Sequence, residues 1–498
     1  MSENRLIASE SGAEWEIVSG LEVHCELATN TKLFCSCANR FGDDPNTNVC
    51  PVCLGLPGSL PVLNEKAVEF ALRVGDAFHF DVPAVSTFHR KNYFYPDMPK
   101  NFQTTQYDEP ICLGGWLDIN DERVGITRAH LEEDTGKSTH MGGAGGRIHG
   151  ASHSLVDYNR AGVPLLEIVS EPDIRSAEQA VAYVDELRAT LKAIGVSDVK
   201  MEEGSLRVDA NVSVRPVGTA EFGTRCEIKN LNSLKSLRDA MDYEARRQIE
   251  IIEGGGNVSQ ETRLWNENEG HTSSMRSKEE AYDYRYFPEP DLVPIVPTDA
   301  LRAHVLATMP ELPAVRRVRL MQAWGSSEQD IRTLLSTEGL GDYAERAVEL
   351  GATPRDAVVW ATQDVLAFLN TASGSGPASV SVDGLDPSML VEVVALVTDG
   401  SISRNQGREV FAIALARGDR PAAIVAERGL AQVSDTGALG AVIDQVFVAN
   451  ADAVAAWHAG DDKTRKKKRG FLMGEAMKAL KGQGNPQLLN QLLDDRLR

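Results

Sequence analysis

The chain has 498 residues, with 51 Lys and Arg against 72 Asp and Glu and a formal net charge of -21. That length exceeds what one core supports, so several domains are expected, and its apolar and charged fractions of 42% and 25% are those of a globular protein. The acidic balance excludes a general nucleic-acid coat or an anionic-membrane binder while leaving room for a local basic patch. With no apolar run near the roughly 18 residues of a spanning helix, and a polar start without a signal-peptide core, a cytoplasmic protein with no membrane partner is expected.

In chain order, EWEIVSGLEVHCELA alternates as a strand. Ile17, Ser19, Leu21, Val23, Cys25 and Leu27 share one face, and Glu22, His24 and Glu26 the other. Three ionisable groups on one strand face are costly without partners, so this face is either solvated or a site. Cys35-Ser-Cys37 and Cys50-Pro-Val-Cys53 follow. Two close thiolate pairs can enclose one zinc ion tetrahedrally, with no open coordination position and hence a structural role. Four separate buried or redox-active cysteines are the alternative, and Cys-x-Cys is the less usual half. Cys25, Cys112 and Cys226 stand alone as small apolar residues.

Two further acid clusters, His130-Leu-Glu132-Glu133-Asp134 and Glu167-Ile-Val-Ser-Glu171, supply carboxylates of the kind that hold Mg²⁺ for phosphate chemistry. In so acidic a chain they are equally compatible with solvated surface. Gly136-Lys137-Ser138 ends like a P-loop, but Leu131 stands where the earlier glycine is required. Gly142 to Gly146, with Gly150, reads as a mobile hairpin tip.

Val181, Val184, Leu187, Leu191 and Ile194 make a helical stripe, with Ser176 and Gln179 as capping box and Gly195 as C-terminal glycine. LRVDANVSVRP (206–216) is a second alternating strand, and a helix runs from about Ser233 to Glu253, stopped by Gly254-Gly255-Gly256. Pro288, Pro290, Pro294 and Pro297 mark a domain exit. The rest is helical in pattern, interrupted by a flexible stretch around Ser373. Lys463, Arg465, Lys466, Lys467, Lys468 and Arg469 lead into an apolar helix, so they are either a solvated face or a backbone-phosphate contact. Asn485-Pro486 caps a last helix buried through Leu488, Leu489, Leu492 and Leu493.

Eight stretches resemble the B-subunit of the glutamyl-tRNA(Gln)/aspartyl-tRNA(Asn) amidotransferase, the GatB family. They are GLEVHCEL (20–27), FHRKNYFYPDMPKNFQ (88–103), HLEEDTGKSTH (130–140), SLVDYNRAGVPLLEIVSEPDIRS (154–176), VKMEEGSLRVDANVSVRP (199–216), EIKNLNSL (227–234), DYRYFPEPDL (283–292) and GQGNPQLLNQLL (482–493). They follow the family's order over essentially the full length.

The resemblance implies a mixed α/β cradle over residues 1–297, then all-α domains: a helical domain at 298–408 and a tRNA-contacting tail at 409–498. It implies a ligase with ATP, Mg²⁺ and, from the cysteine spacing, structural Zn²⁺. Its partners would be an amidase A-subunit that releases ammonia from glutamine, a small C-subunit, and tRNA. The chemistry implied is phosphorylation of the misacylated side-chain carboxylate and attack by ammonia on the acyl phosphate, since oxide is too poor a leaving group. His24, Glu133 and Glu167 align with Mg²⁺ ligands, Glu22 with a neighbouring position and Lys91 with a cation lining the site. A zinc-stabilised, non-catalytic tRNA scaffold is the competing expectation.

Overall fold

The computed structural model describes residues 6–8, 12–120, 122–142, 150–277, 281–372, 382, 384–430, 435–480 and 484–498. They divide into two compact units, Met1–Pro313 and Ala314–Arg498.

In the first unit, twelve strands among the described residues join one sheet. Numbered in chain order, its path runs β13 (His271–Ser277), β12 (Glu261–Asn266), β11 (Cys226–Leu231), β10 (Leu206–Pro216), β2 (Glu14–Glu26), β9 (Pro164–Ser170), β6 (Glu122–Glu133), β4 (Phe102–Thr105), β3 (His89–Asn92) and β14 (Phe287–Pro288). β1 (Leu6–Ala8) pairs with β2 and β5 (Cys112–Ile119) with β6, off that path. β7 (Lys137–Met141) and β8 (His153–Asp157) form the expected hairpin, whose tip at 143–149 lies outside the described residues.

Period-two alternation gives the sheet two unlike faces. Leu21, Val23 and Cys25 of β2, Leu166 and Ile168 of β9, Ala129 and Leu131 of β6, and Val208, Ala210 and Val212 of β10 are buried. They pack with residues of the helices Glu65–Ala77, Ala177–Ala193 and Leu234–Glu253. The intervening residues, mostly charged, face the other way.

Local chemistry sets the helix ends. Ser176 Oγ accepts from Gln179 N–H at 3.1 Å, while the reciprocal half of the capping box shifts by one, Gln179 Oε1 accepting from Arg175 N–H at 2.8 Å. Val184, Leu187, Leu191 and Ile194 are buried as expected, Val181 only partly. Gly195, at φ +71°, takes the left-handed turn after the helix.

The domain exit expected at 297 is displaced. Ile295 exchanges backbone hydrogen bonds with Ser86 and is buried, and Val305 of the helix Asp299–Thr308 enters the same core. The prolines therefore shape a segment that still belongs to the first unit, which ends at Pro313.

The second unit is helical and has two cores, one between Leu320 and Val425 and one between Leu439 and Leu497. A boundary at 408/409 would cut the helix Arg404–Arg417, whose Val410, Phe411 and Ala414 sit in the first of these cores. The break falls later, between Val425 and Leu439, and the stretch around Ser373 lies outside the described residues. The last helix, Pro486–Leu497, starts at Asn485, whose Oδ1 accepts from Gln487 and Leu488 N–H; Leu489, Leu493 and Leu497 are buried, Leu488 and Leu492 partly. Among the described residues, no single helix is long and apolar enough to cross a membrane.

Candidate active site

The charged face of the sheet gathers its functional groups by register. β2 pairs His24 with Glu167 of β9, and Glu167 pairs with His130 of β6, so three side chains stand in one row across three strands. Glu132, two residues beyond His130, shares that face. His24 Nε2 lies 3.6 Å from Glu167 and 3.9 Å from Glu132, and His130 Nε2 lies 3.3 Å and 3.7 Å from the same two carboxylates. His130 and Glu132 are buried; His24 and Glu167 keep part of their surface.

The electrostatics show what this cluster lacks. Burial alone would depress both imidazoles, but Glu167 and Glu132 more than offset it and raise His24 and His130 to about 9. Burial would raise Glu167, yet the two imidazoles, His130 foremost, hold it well below the usual carboxylate range. The carboxylates thus favour positive charge at this point of the sheet. His24, Glu132 and Glu167 each offer a ligand atom within 4.8 Å of the others. Two carboxylates and one imidazole at that spacing fit a hard divalent cation that keeps some of its waters.

Of the sequence-derived set, the structure brings His24 and Glu167 together but not Glu133. Glu133 shares the core-facing parity of Leu131, where its carboxylate is taken by the Lys100 ammonium and by Thr104 N–H at 2.8 Å. Glu132 stands in its place. Glu22 lies on the site face, held by Asn211 Nδ2 at 2.9 Å, its carboxyl raised by burial and by Glu167, Glu227 and Asp209. Lys91 stands on β3 with its ammonium 4.8 Å from the Tyr284 ring centre. Arg90, its neighbour, is clamped by Glu289 at 2.7 and 2.8 Å, tying β3 to the 285–291 segment.

The four cysteines converge. Cys53 Sγ lies 3.6, 3.7 and 3.8 Å from the sulfurs of Cys35, Cys50 and Cys37. Bonds of about 2.3 Å from a tetrahedral zinc would set sulfurs about 3.8 Å apart, so the donors fit that ion. Hydrogen bonding from Cys35 foremost, with the buried Lys32 ammonium 3.6 Å away, pulls the Cys53 thiol down to about 4.

Residues 17–303 match the model of the GatB/GatE catalytic domain, and residues 342–497 that of the GatB domain. The chain belongs to the GatB family. Proteins named as the B-subunit of aspartyl/glutamyl-tRNA(Asn/Gln) amidotransferase are 48% identical over 488 residues in Carboxydothermus hydrogenoformans (97% of this chain, 99% of the relative) and 50% identical over 488 residues in Moorella thermoacetica (97% and 100%). That of Frankia casuarinae is 50% identical over 494 residues (97% and 96%). Membership of this family implies a ligase of several chains, the amidotransferase that transamidates misacylated tRNA.

In this GatB chain the basic run lies on the helix Asp462–Ala479. Lys463, Arg465, Lys466 and Lys467 are exposed, Lys468 and Arg469 partly buried. Arg469 is committed to Asp494 and Asn490, and Arg465 packs 5.4 Å over Trp457. Sequence reasoning named His130 and Glu132 within an acid cluster but carried only Glu133 of that cluster into the site. Parity was the available signal, since Ala129, Leu131 and Glu133 alternate against His130 and Glu132.

Proposed function

We propose that this face is where the side-chain carboxylate of a misacylated Glu-tRNA(Gln) or Asp-tRNA(Asn) is activated with ATP and then amidated. The observation that carries the reading is the convergence of His24, Glu132 and Glu167, from strands far apart in sequence, on one point of a partly exposed, acid-lined face. These three would hold Mg²⁺, which supplies charge neutralisation for the transferring phosphate. Glu132 accepts a hydrogen bond from Thr105 Oγ1 at 3.3 Å and is buried, which fixes its direction. His130 supports Glu167 and Glu132 from the far side, and Glu22 adds charge on the same face of β2 as His24. Lys91, which has no carboxylate partner among the described residues, is placed to meet phosphate negative charge.

In the full reaction the carboxylate oxygen attacks the γ-phosphorus and ADP leaves; ammonia then displaces phosphate to give the amide. An amidase A-subunit would supply the ammonia, with a small C-subunit completing the assembly, and the exposed lysines of the 462–479 helix would contact the tRNA backbone. The cysteine knuckle would hold zinc structurally.

Reconstitution with an amidase partner, ATP and each misacylated tRNA, following release of γ-phosphate and gain of amide, tests the proposal. His24→Ala and Glu132→Gln are expected to lose both signals while assembly and tRNA binding persist. Full activity in both variants would leave the chain as a scaffold.

A further inference from the structure

Acidic groups outnumber cations on the site face, and most of its cations are neutralised within it. Lys229 is paired with Asp209 at 2.6 Å and Glu227 at 3.1 Å, Arg207 with Asp134 at 2.8 Å, and both histidines with Glu132 and Glu167. Arg128 is the exception at the inner strands. It lies on β6 two residues before His130 and four before Glu132, hence on the same face, in the row that contains Val169 and Glu22. Val169 separates it from Glu22 across the sheet, so the nearest row offers it an apolar neighbour instead of an acid. Among the described residues it makes no ion pair and no side-chain hydrogen bond, although it is half-buried.

A guanidinium withheld from a surplus of carboxylates is available to an external anion, and its planar fork matches phosphate oxygens in a two-point contact. Tyr286, from the returning 285–291 segment, is stacked on Tyr107, two residues beyond the Thr105 that pairs with Glu132, with ring centres 4.2 Å apart and planes 8° apart. The Tyr286 phenol is raised by burial and by Glu132 and Glu167, with Arg128 opposing, so it lies among these charges and stays a hydrogen-bond donor. Arg128 on β6 and Lys91 on β3 bracket the acid–His cluster along the strands, while Tyr286, just before the Phe287 that pairs with Arg90, reaches in from the Lys91 end.

We propose that Arg128, assisted by the Tyr286 hydroxyl, forms a phosphate-binding subsite at the rim of the acid–His cluster. This rests on the reading of that cluster as the activation site. The phosphate belongs either to the nucleotide or to the 3′ end of the tRNA, and the two sources separate experimentally.

The assembled enzyme is compared with its Arg128→Gln, Arg128→Lys and Tyr286→Phe forms in two binding measurements. One is equilibrium dialysis of ATP with Mg²⁺ in the absence of tRNA; the other is binding of misacylated tRNA without ATP. Loss of a charge-assisted phosphate contact weakens one of these by about ten- to hundredfold in Arg128→Gln, with partial recovery in Arg128→Lys. Weakening of ATP alone assigns the subsite to the nucleotide, and weakening of tRNA alone assigns it to the 3′ end. Tyr286→Phe is expected to give a smaller loss for the same ligand. If both affinities of Arg128→Gln and Arg128→Lys stay within about twofold of the parent, the subsite does not exist. Failure of the parent enzyme to bind ATP at all would overturn the activation reading instead.

Discussion

Among the described residues of the first unit lie two clusters of ligand-type side chains, and they differ in chemistry, closure and origin. The cysteine knuckle uses four like atoms from 19 consecutive residues, Cys35 to Cys53, and leaves no free position around a metal. The acid–His cluster draws His24, Glu132 and Glu167 from three strands, mixes nitrogen with oxygen, and leaves His24 and Glu167 partly exposed. Closed coordination suits scaffolding; an open, partly solvated cation site suits phosphate chemistry. The proposed function assigns the catalytic work to the cluster whose members are farther apart in sequence, and variants can break that contrast.

The largest effect is expected in the open cluster. Glu132→Gln or Glu167→Gln removes a ligand carboxylate and should lower kcat by about a hundred- to a thousandfold, measured as γ-phosphate release in the assembled enzyme. Unfolding midpoints should change little by comparison. A midpoint that collapses while residual kcat stays near the parent would reverse the assignment.

Next in size is Glu133→Ala, on the opposite side of the same strand. Removing it strands the Lys100 ammonium, which is only 10% exposed, and breaking such a pair costs about 3 kcal/mol or more. Denaturant unfolding should show this loss, with kcat per folded molecule falling far less than in Glu132→Gln. Two adjacent glutamates would thus separate into one that affects chemistry and one that affects stability. Equal kcat losses in the two would restore Glu133 to the metal set.

Cys53→Ser comes third. It removes the sulfur nearest the other three and should abolish bound zinc, counted by metal analysis of the purified chain. The change in kcat should stay within about tenfold, because a closed site touches no reacting atom. Zinc retained at one per chain in the variant would mean the thiols are not its ligands.

How much of this was legible depends on whether a feature is local. Strand alternation in β2 pointed out Glu22 and His24, and Ser176, Ser233 and Asn485 marked helix starts that the structure reproduces. Four cysteines close in sequence carry their geometry in their spacing. Glu132 and Glu133 could be told apart only by asking which one shares parity with Leu131, and that required knowing that β6 is a strand through to its end. Arg128 and Tyr286 had no local mark, because the roles proposed for them arise from strand register and a returning segment. The domain limits failed for a related reason. A proline-rich stretch looks like an exit, yet the pairing of Ile295 with Ser86, far earlier in the chain, keeps it inside.

The smallest expected effect lies on the helix Asp462–Ala479, and it sharpens what the basic run does. Arg469 is occupied by Asp494 and Asn490, so its loss would mix folding with binding and it is a poor probe. Lys463, Lys466 and Lys467 are exposed and form no ion pair among the described residues, which makes them clean ones. Each phosphate contact contributes about 0.7 to 0.9 to the slope of log affinity against log salt, the lower value on single strands and the higher on duplex DNA. Replacing Lys466 and Lys467 by Gln should therefore weaken tRNA binding severalfold at low salt and flatten that slope by about one to two, leaving kcat at saturating tRNA unchanged. A salt slope identical to the parent's would show that these lysines only solvate an exposed helix, whatever the effect at a single salt concentration.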